Sequence, residues 1–497
     1  MNTPSPVSGW TCTAAARWLP PPNPFLSGVH PVPCGASSRR ALEKGSHPRA
    51  RPQRPGVQRA KSGIISDVIL HRNYRGSMNS QPSSHNAQSL ESISEYAERT
   101  SSHAAAAAAS VTDTFVHRIL GVPGALIGSV QVPDPRPLSQ RLNIWHYWWQ
   151  AHLLDCVIDA GQRHLREGDI TAAQEELHRA RALLRGINVR NYGRFANDYF
   201  DDMAWLTLAV GRMNSFCIEL TGANDVAAQD AGAALFEQLA KGFSPVGGMS
   251  WRKSKRDFVN AAATAPTALA YVRAGDPKTA AALMDWMNET LWDAERSLYI
   301  DGVNVRGDEY DYERGEYTYN QGTALGALLS LAASGVPCEV DPAERAERLI
   351  VGIVKHMTEE VEFLSGARRR ILISHGDGDG GLFTGILVRY LGMAASSPLL
   401  SDEARALAST LVYSTARALW EGRREFDPDL PMNEYGIDPN EIRGKALVQF
   451  SPRFTEPMSK VVKPGAPVEL STQVQAWTIF ETAARLAHAR DLASHGF

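Results

Sequence analysis

Three observations predict an all-α protein, a six-hairpin (α/α)6 barrel. Windows of helical period recur from Leu138 to Ala489, about a dozen of them. Their character alternates, one apolar all round and the next amphipathic. A helix apolar on every side is buried, and one with a polar face meets water there. Alternation therefore implies an inner ring of helices wrapped by an outer ring. Strand-like runs hardly compete, with Arg369–Ile373 and Ala446–Phe450 the short candidates.

Residues 1–85 are rich in Pro, Ser, Gly and Arg and carry no periodicity. Such a composition cannot bury a core and is expected to be disordered. Pro4, Pro6, Pro20, Pro21 and Pro22 interrupt the first 22 residues, which lack a basic start and an apolar centre. They do not form a secretion signal, so the expected compartment is the cytoplasm, with Met78 an alternative start. Deleting residues 1–77 is expected to leave the melting transition nearly unchanged; a large loss in calorimetry would show that the tail packs on the barrel. Residues 86–137 read as a helical extension and linker. Ser89–Leu120 contains Ala104–Ala109, Gly121-Val122-Pro123-Gly124 stops the helix, and Pro133, Pro135 and Pro137 follow.

The barrel proper is expected over 138–490. Ile144–Val157 is aromatic-rich, and Thr171–Arg185 is amphipathic. Met203–Leu220 is apolar, Val226–Lys241 amphipathic, Phe258–Val272 Ala-rich and Pro277–Leu291 amphipathic. Thr323–Ala333 is apolar, Ala343–Met357 charged on one side, Leu382–Ala394 apolar and Asp402–Trp420 amphipathic; Thr472–Ala489 closes the chain.

Composition narrows the function. The first 78 residues hold 11 of the 51 basic groups but only 2 of the 54 acidic ones, leaving 40 against 52 in the rest. An acidic body argues against nucleic acid as partner. No apolar run approaches the roughly 18 residues of a membrane span. The five cysteines have neither disulfide-framework nor zinc spacing, and Cys156 and Cys217 read as core thiols. Gly376-Asp377-Gly378-Asp379-Gly380-Gly381 is neither a P-loop nor a Rossmann turn, and its calcium-loop reading lacks further side-chain oxygens.

Asp201 and Asp202 stand between aromatic residues at the head of an apolar helix. The plain reading is a capped helix, with Asp201 as N-cap and Asp202 in the first turn. The sharper one is a catalytic carboxylate pair. Comparable groups precede the other apolar helices: Trp251 and Asn260; Tyr317, Tyr319, Asn320 and Gln321; Asp377, Asp379 and Phe383; Glu469 and Ser471. Each has an ordinary structural explanation as core or cap. Recurring together at corresponding places in one ring, they suggest a glycan cleft, with aromatic faces for sugar C–H groups and amides and carboxylates for hydroxyls.

The runs Tyr199-Phe200-Asp201-Asp202-Met203-Ala204-Trp205, Gly247-Gly248-Met249-Ser250-Trp251, Tyr317-Thr318-Tyr319-Asn320-Gln321-Gly322 and Gly381 to Leu391 resemble glycoside hydrolase family 76, in order, over about Leu138 to Ala489. The resemblance implies an (α/α)6 fold and retaining, endo cleavage of α-1,6-linked mannan without metal or other cofactor. It implies that Asp201 is the nucleophile and Asp202 the acid/base. The chain departs from the family at Thr384, where Lys is expected, and in showing no export signal. Adjacency independently favours two carboxyls at short separation, the arrangement of retaining enzymes. A terpene-synthase reading fails because Trp205 occupies the position of a third aspartate. Sugar epimerases use histidines, and His146, His152 and His375 sit in no resembling motif. A non-catalytic glycan-binding barrel would tolerate loss of an aspartate, yet both are present.

Overall fold

The computed structural model describes residues 91–426, 448–463 and 465–495. The basic Pro-rich tail, Met78 and the first residues of the Ala446–Phe450 candidate lie outside them.

Among the described residues twelve long helices form the barrel. They are α1 (Ile93–Phe115), α2 (Tyr147–Arg166), α3 (Ile170–Arg190), α4 (Phe200–Thr221), α5 (Val226–Leu239) and α6 (Ala261–Arg273), then α7 (Pro277–Thr290), α8 (Thr318–Ser334), α9 (Pro342–His356), α10 (Gly380–Ala395), α11 (Asp402–Glu421) and α12 (Leu470–Ser494). The even-numbered helices form the inner ring: each packs on the next, and α12 closes the ring against α2. Each has an outer partner, α3 on α2, α5 on α4, α7 on α6, α9 on α8, α11 on α10 and α1 on α12. The alternation in the sequence is thus the alternation of layers. In α6 every residue from Ala261 to Val272 is buried, whereas α9 buries one stripe.

Small residues set how closely the inner helices approach. A Cβ on Gly322 of α8 would lie 2.7 Å from the Leu387 Cα of α10, and one on Gly385 of α10 would lie 3.0 Å from the Gln475 Cα of α12. Both contacts are with backbone, which cannot move aside.

Two differences from the sequence reading have clear causes. The stretch 86–137, expected to be an extension, supplies the twelfth helix. α1 starts at a capping box of Ser92 and Glu95 and buries Ala104 and Ala107 against α12. The following segment is stitched in as well, because Gln131–Val132 pairs with Val468–Glu469. An alanine stripe is a weak periodic signal, so composition alone set α1 apart from the ring. Strands were also under-read. Ser250–Arg252 (β1), Lys255–Asn260 (β2), Gly302–Arg306 (β3) and Glu309–Glu313 (β4) form a four-stranded antiparallel sheet. Phe258 and Val259, expected at a helix start, lie on β2, and α6 begins only after Asn260 caps it. Arg368–Leu372 does form a strand, paired with Thr358–Glu362.

Candidate active site

All six inner helices run the same way, so their N-termini and the loops that enter them share one rim. Asp201 and Asp202 are the second and third residues of α4. The cap is Tyr199, extended and without a side-chain capping bond, so neither aspartate serves as N-cap. Tyr199 is fixed from both sides: it bridges Arg252 of β1, and its N–H donates to Asn197 Oδ1 at 3.0 Å. Phe200 and Met203 are fully buried on the core side. The two carboxyls between them keep access to the cleft while otherwise surrounded by protein.

The two carboxyls have different partners. Asp201 accepts the Trp251 indole N–H at 3.0 Å and the Asp202 backbone N–H at 2.9 Å. Asp202 accepts the Asn197 side-chain amide at 2.5 Å. Burial pushes the Asp201 pKa up to about 7 against those donors, with Asp301 adding to the rise. Burial and then the neighbouring Asp201 charge hold Asp202 well above the ordinary carboxylate range. The pair titrates as a unit, but its donors favour Asp201 as the member that ionises first. Trp251→Phe removes one donor from that anion. A hydrogen bond to a charged group is worth about 1.5–3 kcal/mol, so the acid limb of kcat/KM should move up by about one pH unit or more. A pH profile with an unmoved limb would remove Trp251 from this role.

Beyond the pair lies a closed circuit of rings from four inner helices. Trp148 and His152 of α2 lie 5.5 Å apart, His152 and Trp205 of α4 5.0 Å, and Trp205 and Tyr319 of α8 6.4 Å. Tyr319 and Phe383 of α10 are 4.3 Å apart, and Phe383 returns to Trp148 at 6.3 Å. Burial raises the Tyr319 hydroxyl well above its usual pKa, reinforced by the charges of Asp301 and Asp201. Tyr317 stacks beside Tyr319 at 5.9 Å. Asp379 closes this side: one of its oxygens accepts the indole N–H groups of Trp148 at 3.0 Å and Trp149 at 2.9 Å. An adjacent carboxylate pair, an aromatic collar and further carboxylates on one rim suit a polyhydroxylated ligand.

The family model for glycosyl hydrolase family 76 matches residues 101–434. The chain belongs to glycosyl hydrolase family 76. It is a glycoside hydrolase. No functionally curated protein matches the chain. Among solved structures it resembles the α-1,6-mannanase of Salegentibacter sp. HEL1_6 at 26% identity and TM-score 0.57, over 80% of this chain and 100% of that one. An inactive variant of that enzyme, with two consecutive aspartates changed to asparagine and α-1,6-mannotriose bound, matches at 25% identity and TM-score 0.58, with 80% and 100% covered. A protein from Listeria innocua shares the fold at 22% identity and TM-score 0.59, with 78% and 97% covered.

In this family 76 enzyme the residues singled out in the sequence fall into two groups. Asp201, Asp202, Trp251, Tyr317, Tyr319, Phe383 and Asp379 are linked by the contacts above, and Asn320 joins them through Asp301, to whose carboxyl it donates at 2.9 Å. Three others are placed differently. Gln321 is fully buried, and its amide is occupied by main chain, accepting from Tyr299 N–H and donating to Tyr299 and Tyr317 carbonyls. Asn260 is buried and caps α6 through the Ala263 N–H at 3.1 Å. Asp377 is exposed on the turn before α10.

Asp301 and Asn197 escaped the sequence reading. Asp301 begins the turn into β3, and burial lifts its pKa to about 6. A strand and not a helix follows it, so the pattern of polar residues before apolar helices does not mark it. Asn197 sits two residues before an extended aromatic, a spacing that suits an Asx turn and was the available signal.

Proposed function

We propose that this glycoside hydrolase cleaves α-1,6-mannosidic linkages within mannan chains, with retention of configuration. The observation that carries the proposal is the adjacent, unequal pair on α4. Asp201, ionised first and held by two N–H donors, attacks the anomeric carbon and forms a glycosyl ester. Asp202, the member that keeps its proton, delivers it to the leaving oxygen, then takes a proton from the incoming water. Trp251 orients the nucleophile, Asn197 the acid/base, and the aromatic collar receives the C–H face of the sugar. The mannanase from Salegentibacter, inactive when two consecutive aspartates are replaced, supports both the substrate and the importance of such a pair.

A mannan or mannooligosaccharide partner requires no nucleic acid or membrane contact. No helix among the described residues is long and apolar enough to cross a membrane. The kcat/KM profile on α-1,6-mannotetraose should rise with ionisation of the pair, centred near the Asp201 value of about 7, and fall only when Asp202 deprotonates. Turnover of α-1,6-mannotetraose with inert α-1,2- and α-1,3-mannobiose is the expected selectivity. Faster cleavage of either disaccharide would overturn the linkage assignment.

A further inference from the structure

The four-stranded sheet β1–β4 stands on the rim beside Asp201, and beyond Trp251 none of its side chains has a part in the proposed reaction. One of its faces packs on the barrel: Val259 and Val303 are fully buried, and Val305 and Tyr310 rest against the core. Residues directly opposite on paired strands share a face. Phe258, Asn304 and Asp311 therefore stand on the other face, with Glu313 two residues further along β4. That face is polar and open, and it leads back to the catalytic pair by two routes. Along the first, Trp251, the indole donor to Asp201, meets the Phe258 ring edge to face at 5.9 Å. The Lys255 amine lies 5.4 Å over that ring and donates to Asn304 Oδ1 at 3.2 Å, and Asn304 Nδ2 donates to Glu313 Oε1 at 3.2 Å. Along the second, Glu313 lies opposite Gly302, the neighbour of Asp301. Behind burial, the Glu313 charge adds to the raised Asp301 pKa, and the Asp301 charge adds to that of Asp201.

Both routes run on one side of the pair. α2 and α6 flank α4 in the inner ring, and the sheet leads into α6. Asp201 has its partners on that side, in Trp251 and Asp301. Asp202 has its own on the other: Asn197 donates to it, and it interacts electrostatically with Asp379 and with Tyr147 of α2. With Asp202 as acid, the bridging oxygen and the leaving sugar lie on the Asp202 side. With Asp201 as nucleophile, the anomeric carbon and the sugars that stay attached to it lie toward the sheet. The open face suits one of those sugars. Among the described residues neither Lys255 nor Glu313 has a salt-bridge partner, and Asn304 stands between the ammonium and the carboxylate. Vicinal hydroxyls can donate to the carboxylate and accept from the ammonium. An α-1,6 link leaves the ring hydroxyls of each mannose free to do so.

We propose that the open face of this sheet is the subsite for the second mannose on the non-reducing side of the cleaved bond, with Glu313, Asn304 and Lys255 binding its hydroxyls. The inference rests on the roles proposed for Asp201 and Asp202. Two substrates with one leaving group test it, an aryl α-mannoside and the corresponding aryl α-1,6-mannobioside. Wild type should prefer the mannobioside in kcat/KM by roughly 10–100-fold, the worth of one hydrogen bond to a charged group. Glu313→Ala, at an exposed strand position, should lose most of that preference. Glu309→Ala, on the same face of β4 but roughly 13 Å along the strand, should keep it. A wild type without the preference, a preference that survives in Glu313→Ala, or one that Glu309→Ala also loses overturns this inference alone. Absence of turnover on both aryl substrates and on α-1,6-mannotetraose overturns the proposed function with it.

Discussion

Asp201→Asn is expected to abolish turnover on every mannoside, aryl mannosides included. An amide cannot supply the anion that forms the glycosyl ester, and a better leaving group does not replace it. Asp202→Asn should behave differently. Loss of a proton donor costs roughly 10²–10⁴-fold, and the loss should shrink for an activated aryl mannoside that needs little protonation. Azide should then rescue Asp202→Asn, giving a mannosyl azide of retained α configuration. Equal losses on natural and aryl substrates would contradict the division of roles. Stability supplies an independent reading of Asp201→Asn. The Asp201 pKa rises from 3.8 to about 7 on folding, so the native state binds the proton more tightly than the unfolded chain. Its contribution is present at low pH and is lost as pH rises through that window. Asn cannot ionise, so the inactive variant should melt higher than wild type at pH 8 and nearly level with it at pH 4.

The second large effect is on folding. Arg389→Met should destabilise the barrel by about 3–5 kcal/mol, the usual cost of removing one partner from a buried ion pair. The Arg389 side chain is 11% exposed and contacts both Asp155 and Asp159. Its loss leaves two carboxylates for Arg212 alone. Burial would raise the Asp159 pKa, but Arg212 and Arg389 more than offset it and hold the group well below the usual range. Urea unfolding would measure the loss, and adding Asp155→Asn and Asp159→Asn should recover much of it. An Arg389→Met variant as stable as wild type would show that the cluster has no stabilising role.

The barrel was legible because burial leaves a direct trace in the pattern. Met203–Leu220 and Leu382–Ala394 are apolar on all sides, and both became inner helices. The rim was legible for the same reason: polar and aromatic residues stood just before those runs. What escaped had no periodic trace. α1 buries alanine, which the pattern scores weakly, and Asp301 sits on a turn between strands. Gln321 looked like a sugar ligand because a polar residue in a buried motif suggests use, yet main chain takes up its amide. The ion pairs of Arg212 and Arg389 with Asp155 and Asp159 were also invisible, since these residues stand on α2, α4 and α10 and meet only when the inner ring closes. The unequal partners of Asp201 and Asp202 could only come from coordinates.

The most direct test of the central claim is proton NMR of the first product released from α-1,6-mannotetraose by wild-type enzyme, recorded before mutarotation. Double displacement at Asp201 with Asp202 as acid/base predicts an initial α-anomer at the new reducing end. An initial β-anomer would mean inversion by a water-activating base other than Asp201, and would contradict the account.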